Sequence, residues 1–124
     1  NQIRISEKMK KIIFFDLDNV ICRTKSNNYK KSLPIKKNID FINSLDKKKF
    51  YIKIFTARFM GRNNENINKA KKMGYKMTKK QLKNWGVNYN KLIMGKPSFN
   101  YYIDDKSIGF EKDWISQLKK KLKI

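Results

Sequence analysis

A short apolar run, Ile12-Ile13-Phe14-Phe15, breaks into two carboxylates, Asp16 and Asp18, separated by a single leucine. A run this short, rich in β-branched and aromatic residues, has the pattern of a buried strand in a parallel sheet. In open α/β sheets, chemistry collects outside the carboxyl ends of the strands, which is where these two acids fall. Two carboxylates held so close repel, and they persist together only where a cation or a proton compensates them. The plain alternative is a polar turn, since Asp and Asn both favour turns.

Three later segments repeat the pattern. Tyr51-Ile52-Lys53-Ile54-Phe55 reads as a second strand and ends in Thr56-Ala57-Arg58. Leu92-Ile93-Met94-Gly95 reads as a third and runs into Lys96-Pro97, and Tyr101-Tyr102-Ile103 reads as a fourth that ends in Asp104-Asp105-Lys106. Each apolar run therefore delivers a polar group: a carboxylate pair, a hydroxyl, an ammonium, a second carboxylate pair. Brought to one sheet edge, such a set could bind a divalent cation and a phosphate at once.

In order and type, Asp16-Leu17-Asp18-Asn19-Val20, Thr56, Lys96 and Asp104-Asp105 resemble the four motifs of the haloacid dehalogenase (HAD) superfamily, over roughly residues 11 to 106. Phe55-Thr56-Ala57-Arg58, Gly95-Lys96-Pro97 and the Asp-Asp-Lys segment also make the chain similar to small HAD phosphatases linked to capsule and surface-polysaccharide biosynthesis. Asn19 stands where the first motif commonly has Gly, and Val20 where Thr is common. The resemblance implies a three-layer, Rossmann-like α/β core, a parallel sheet flanked by helices, without a large cap domain. It also implies the catalytic set Asp16, Asp18, Thr56 and Lys96, and a metal set of Asp16, Asp18, Asp104 and Asp105.

The chemistry of these residue types agrees with that expectation. A carboxylate can attack phosphorus and form an aspartyl-phosphate, splitting one hard displacement into two easier ones. Asp16, at the strand tip, is the candidate nucleophile. Asp18 would protonate the leaving alkoxide and then deprotonate the hydrolytic water, assistance worth roughly 10²–10⁴-fold in rate. Mg²⁺, a hard cation that takes oxygen ligands, would offset the repulsion between phosphate and carboxylate. Asp16, the Asp104–Asp105 pair and the Asp18 backbone carbonyl would hold it. Thr56 would donate its hydroxyl to a phosphoryl oxygen, and Lys96 would neutralise charge developing in transfer. The alternative for Lys96 is an ordinary surface lysine among 27.

Composition narrows the field. A chain of 124 residues has room for one domain. No apolar stretch approaches the roughly 20 residues of a membrane span, and the first nine residues carry no apolar core of a signal peptide. Residues 1 to 8 read as an extension before Met9. The single cysteine, Cys22, excludes an intrachain disulfide and fits a reducing cytoplasm. Histidine is absent, which removes imidazole bases and most zinc sites. The formal charge of +21 suits nucleic acid or any phosphorylated ligand. Yet Lys, Asn and Ile, whose codons are rich in A and T, make up 57 residues, and arginine, the better base reader, occurs only four times.

Helical signals fill the intervals. Residues 34 to 48 place Ile35, Ile39, Ile42 and Leu45 at helical spacing behind Pro34. Asn63-Asn64-Glu65 reads as a cap for a helix ending near Gly74, and Thr78-Lys79-Lys80-Gln81 as a capping box for a short helix that Gly86 stops. A last amphipathic helix is expected over residues 112 to 122, with Trp114, Ile115, Leu118 and Leu122 inward. Strands alternating with helices imply a sheet covered on both faces.

Substrate access follows from spacing. Asp16 and Thr56 are 40 residues apart, and a helix and a strand use most of that length, so only residues 19 to 33 are free to form a small flap. The site should be open, covered at most by that flap, a neighbouring subunit or a large substrate. Arg23, Thr24, Asn27, Asn28 and Tyr29 of the flap, and residues 58 to 62, are in reach of a substrate. Arg23, Arg58 and Asn63 are the candidate substrate-binding residues, with Arg58 expected at the rim; the alternative for Arg58 is a structural arginine paired with a neighbouring acid. The expected function is an Mg²⁺-dependent phosphomonoester hydrolase, with a sugar phosphate in polysaccharide biosynthesis as first choice on resemblance. The alternatives are a nucleic-acid or nucleotide end-phosphatase, and an inactive basic module that binds anionic polymers.

Overall fold

In a computed structural model that describes residues 9–124, the chain runs β1 (Lys11–Phe15), β2 (Cys22–Arg23), β3 (Leu33–Pro34), α1 (Lys36–Ser44), β4 (Phe50–Thr56), α2 (Ile67–Asn84), β5 (Lys91–Met94) and α3 (Trp114–Leu122). The extension expected at residues 1 to 8 lies outside the described residues. β1, β4 and β5 form a parallel sheet in the order β1-β4-β5, with Phe15 beside Ile54 and Thr56 beside Met94. Parallel pairing brings the carboxyl ends of all three strands to one edge, so Asp16, Thr56 and Lys96 leave the sheet on the same side.

Burial alternates along β4, with Phe50, Ile52, Ile54 and Thr56 inside and Tyr51, Lys53 and Phe55 less covered. The inward face joins Phe15 and Leu92 to Ile39 and Ile42 of α1, Leu82 of α2 and Leu118 of α3 in one apolar cluster. Trp114 anchors α3 there, meeting the rings of Phe15 and Phe41 edge-on at 6.2 and 5.5 Å. On the opposite face Ile12 and Phe14 remain about half exposed. The sheet is flanked by helices, but among the described residues they share one face, so the expectation of three layers is corrected. Two successive crossovers step the same way across the sheet, and a right-handed connection then places both helices on the same side.

The fourth strand does not form. Tyr101 and Ile103 are 90% and 97% exposed in an irregular segment. Among the described residues this segment pairs with no strand, and local turn chemistry wins. The Asp104 carboxylate accepts the Lys106 N–H at 2.9 Å and the Tyr102 hydroxyl at 2.9 Å, and its carbonyl accepts the Ser107 hydroxyl.

The two helices expected between residues 63 and 86 are one. Asn66 caps α2 by accepting the Lys69 N–H at 3.0 Å, and Gly86, at φ +70°, ends the segment as expected. Gly74 does not stop the helix because it is needed inside it: a Cβ there would run into the Phe59 ring. Thr78 faces the interior instead of capping. α1 begins two residues after Pro34, which sits in β3, and α3 begins at Trp114.

The flap expected at residues 19 to 33 is a small antiparallel ladder of β2 and β3 carrying a loop. Its hinge is Asn19, at φ 67°, a left-handed conformation that Asn adopts more readily than most residues. The departure from Gly at this position is therefore compatible with the turn.

Candidate active site

Asp16 is the first residue beyond β1. Its Oδ1 accepts the Leu17 N–H at 2.8 Å, and its Oδ2 lies 3.7 Å from the Lys96 ammonium. Lys96 is brought there by Gly95, whose φ of +94° and contact with Ile67 leave no room for a side chain. The Lys96 N–H donates to the Thr56 carbonyl at 3.1 Å, which carries the β4–β5 pairing one step past the strands. The ammonium lies 5.3 Å from the centre of the Phe99 ring. Both side chains meet solvent, Asp16 at 43% exposure and Lys96 at 17%.

Burial pushes the Asp16 carboxyl above the usual carboxylate range; Lys96 and the Leu17 N–H pull it back, and Asp18 raises it further. In the nucleophile role expected from the sequence Asp16 would have to be ionised, and acid would then inhibit as pH falls through this raised value. Removing Lys96 takes away a lowering influence. Lys96→Ala should therefore shift the acid limb of the pH–rate profile to higher pH while also lowering kcat. An acid limb left in place, measured with para-nitrophenyl phosphate, would separate Lys96 from Asp16.

Asp18 has different company. The Arg58 Nε donates to both of its oxygens at 3.1 and 3.0 Å, and Nη2 donates to Oδ1 at 2.9 Å. The Thr24 hydroxyl adds a bond of 2.6 Å. The Arg58 side chain is fully buried and the Asp18 side chain is 20% exposed. Arg58 is thus not a rim residue but the structural, acid-paired arginine of the alternative reading. Two residues beyond β4 the chain turns it inward, where the guanidinium also reaches Ser32, Thr78 and Gln81. Cys22 lies against the same pair, and burial holds its thiol above the ordinary range.

Asp16 and Asp18 line one cavity of about 260 Å³ together with Asn27, Tyr29, Ala57, Arg58, Gly61, Arg62 and Ser98. A second hollow of about 250 Å³ shares Asp16, Ala57 and Ser98 with it and adds Lys96, Pro97 and Phe99. Of the expected catalytic set, Asp16, Asp18 and Lys96 meet here. Thr56 does not line either hollow: strand alternation turns it inward, and its hydroxyl oxygen accepts the Arg58 N–H at 3.1 Å. Arg23 is exposed on β2, away from both hollows. Asn63 braces the turn after β4, donating to the Phe59 carbonyl at 2.7 Å. Neither is placed as a substrate ligand.

Asp104 and Asp105 are exposed, and among the described residues no three of Asp, Glu and Cys gather as a metal-holding group. The expected set of Asp16, Asp18, Asp104 and Asp105 is therefore not assembled. Asp18 is already occupied by Arg58, and the Asp104 carboxylate is engaged in its own turn. The residues as arranged do not fit a divalent cation.

Sequence reading missed Ser98, which has no motif to mark it. Both oxygens of Glu65 accept from Ser98, its N–H at 2.8 Å and its hydroxyl at 3.0 Å, tying the loop after Lys96 to the turn after β4. Arg62 was legible only as part of residues 58 to 62.

No family model matches this sequence, and no curated protein does. Among solved structures, the chain is similar to a structural-genomics target protein from Vibrio cholerae, with 26% identity and a TM-score of 0.74. That likeness covers 90% of this chain and 98% of the other. A chain in the structure of the Pnkp1/Rnl/Hen1 RNA repair complex shows 13% identity and a TM-score of 0.49, over 93% of this chain and 32% of that one. The second likeness is too slight to build on. No described helix is long and apolar enough to cross a membrane.

Proposed function

We propose that this protein is a phosphomonoester hydrolase that works through an aspartyl-phosphate on Asp16. The observation that carries the reading is the pairing of Asp16, raised by burial and open to the cavity, with the Lys96 ammonium 3.7 Å away at the same sheet edge. Two carboxylates in unlike surroundings take unlike roles. Asp16, with one cation beside it, attacks phosphorus: its oxygen forms the new O–P bond as the bond to the alkoxide breaks. Lys96 offsets the charge of the transferring group. The alkoxide takes a proton from solvent at the open site, and Asp18, held as a carboxylate by Arg58, takes one from the water that attacks the phosphoryl group and frees Asp16.

Mg²⁺ is implied by the resemblance alone; the residues as arranged do not hold it, and no step above is routed through it. A sugar phosphate is the proposed substrate, in keeping with the similarity to polysaccharide-linked phosphatases. A screen of sugar phosphates, nucleotides and 3′-phosphorylated oligonucleotides, each with chelator and with added Mg²⁺, tests the reading. Release of inorganic phosphate from a sugar phosphate is the expected result, and the chelator arm reads whether any cation is needed for it. Preference for the oligonucleotide would install the end-phosphatase reading. Binding of polyanions without any hydrolysis would install the inactive basic module.

A further inference from the structure

Arg62 stands at the same cavity without an acid of its own. Among the described residues no carboxylate pairs with it, although the chain places Glu65 only three positions on. Both oxygens of Glu65 are taken by Ser98. The Arg62 guanidinium is nevertheless held in position. It lies 4.7 Å from the centre of the Phe59 ring and 5.2 Å from that of Tyr29, and Nη2 donates to the Asn27 carbonyl at 3.0 Å. Tyr29 and Phe59 in turn meet edge-on at 4.8 Å. One donor position is spent on the flap, and the rest of the fork remains for a ligand.

A guanidinium fixed on two rings loses little freedom on binding and matches a carboxylate or phosphate through paired N–H donors. We propose that Arg62 forms a subsite for a second anionic group, so that the favoured substrate is a small phosphomonoester that also carries a carboxylate or another phosphate. This rests on the hydrolase reading for the position of the scissile phosphate at Asp16 and Lys96. The cavity, at about 260 Å³, is below the roughly 300 Å³ lower end of ligand pockets and suits a small metabolite. A polymer is disfavoured at this place. Single strands bind on free aromatic faces, whereas the Tyr29 ring already carries the guanidiniums of Arg58 and Arg62, at 4.9 and 5.2 Å.

The test compares glucose 6-phosphate, 6-phosphogluconate and fructose 1,6-bisphosphate on the wild type, Arg62→Ala and Arg62→Lys. Arg62 is exposed, so neither substitution should disturb folding. One charge-assisted contact is worth roughly 10- to 150-fold in kcat/KM. The wild type should favour one of the two doubly anionic substrates over glucose 6-phosphate within that range, the better one telling carboxylate from phosphate. In Arg62→Ala the preference ratio should collapse towards one, and in Arg62→Lys it should be intermediate. Calorimetric binding of the same three compounds to Asp16→Asn reads the subsite without chemistry. Arg62-dependent preference in binding, from a protein whose wild type hydrolyses nothing, would uphold the subsite and sink the hydrolase. Hydrolysis without any such preference, or an equal loss on all three compounds in Arg62→Ala, would overturn the subsite and leave the hydrolase standing. A 3′-phosphorylated oligonucleotide preferred over all three would overturn the small-molecule assignment.

Discussion

Asp16→Asn should abolish phosphomonoester turnover, by roughly 10⁴- to 10⁶-fold, while the protein stays folded. The amide has nearly the volume of the acid and keeps an oxygen that can accept the Leu17 N–H, but it cannot attack phosphorus. The sign of the stability effect also follows from the site. Burial is the main influence on Asp16 and raises its carboxyl, so the folded state favours the protonated form. A raised acid opposes folding once it ionises, and that opposition fades as pH falls through the raised value. At neutral pH a neutral amide should therefore melt no lower than the wild type. Turnover within tenfold of the wild type would remove Asp16 as nucleophile. A clear loss of thermal stability would instead make the Lys96 contact a structural ion pair.

The parts of this arrangement that could be read from sequence are those set by local pattern. The largely apolar run Tyr51–Phe55 and the β-branched and aromatic run before Asp16 mark two strands without any knowledge of neighbours. Trp114 and Leu118 are buried where helical periodicity places them. Asp16 and Lys96 share the sheet edge because each lies within two residues of the carboxyl end of its strand. What local pattern missed depends on partners far away in the chain. Gly74 reads as a helix stop until Phe59 is seen to lie against it, and Thr78 reads as a cap until Arg58 reaches it. Tyr101-Tyr102-Ile103 has the composition of a strand but no strand beside it, and a carboxylate one residue on captures the backbone into a turn. Arg58 is the sharpest case. An arginine beyond a strand end is usually at the surface, and only Asp18, 40 positions earlier, explains why this one is buried.

That burial sets the second large effect. Arg58→Ala should destabilise the protein by about 3–5 kcal/mol, the range for breaking a buried charge pair by removing one partner. For a domain of this size that corresponds to a drop in Tm on the order of 10–20 °C. The guanidinium binds Asp18 through three contacts and joins it to Ser32 of the flap and to Thr78 and Gln81 of α2. Gln81 extends the same network to the Tyr29 carbonyl at 2.7 Å. Truncation leaves the Asp18 carboxylate half-solvated and unpaired, which is where most of the cost arises. Arg58→Lys keeps a charge but loses the fork, so its melting point should fall between the two. A substrate-binding Arg58 at the rim would affect the preferred substrate far more than a minimal one. Its place under Asp18 requires instead that the preferred substrate and para-nitrophenyl phosphate lose activity together, because both need Asp18 held in position. A double-mutant cycle with Asp18→Ala separates pairing from packing: if the pair carries the effect, the double variant should be much less destabilised than the sum of the singles. An Arg58→Ala protein melting within 2 °C of the wild type would mean that this network does not hold the flap and α2 to the sheet edge.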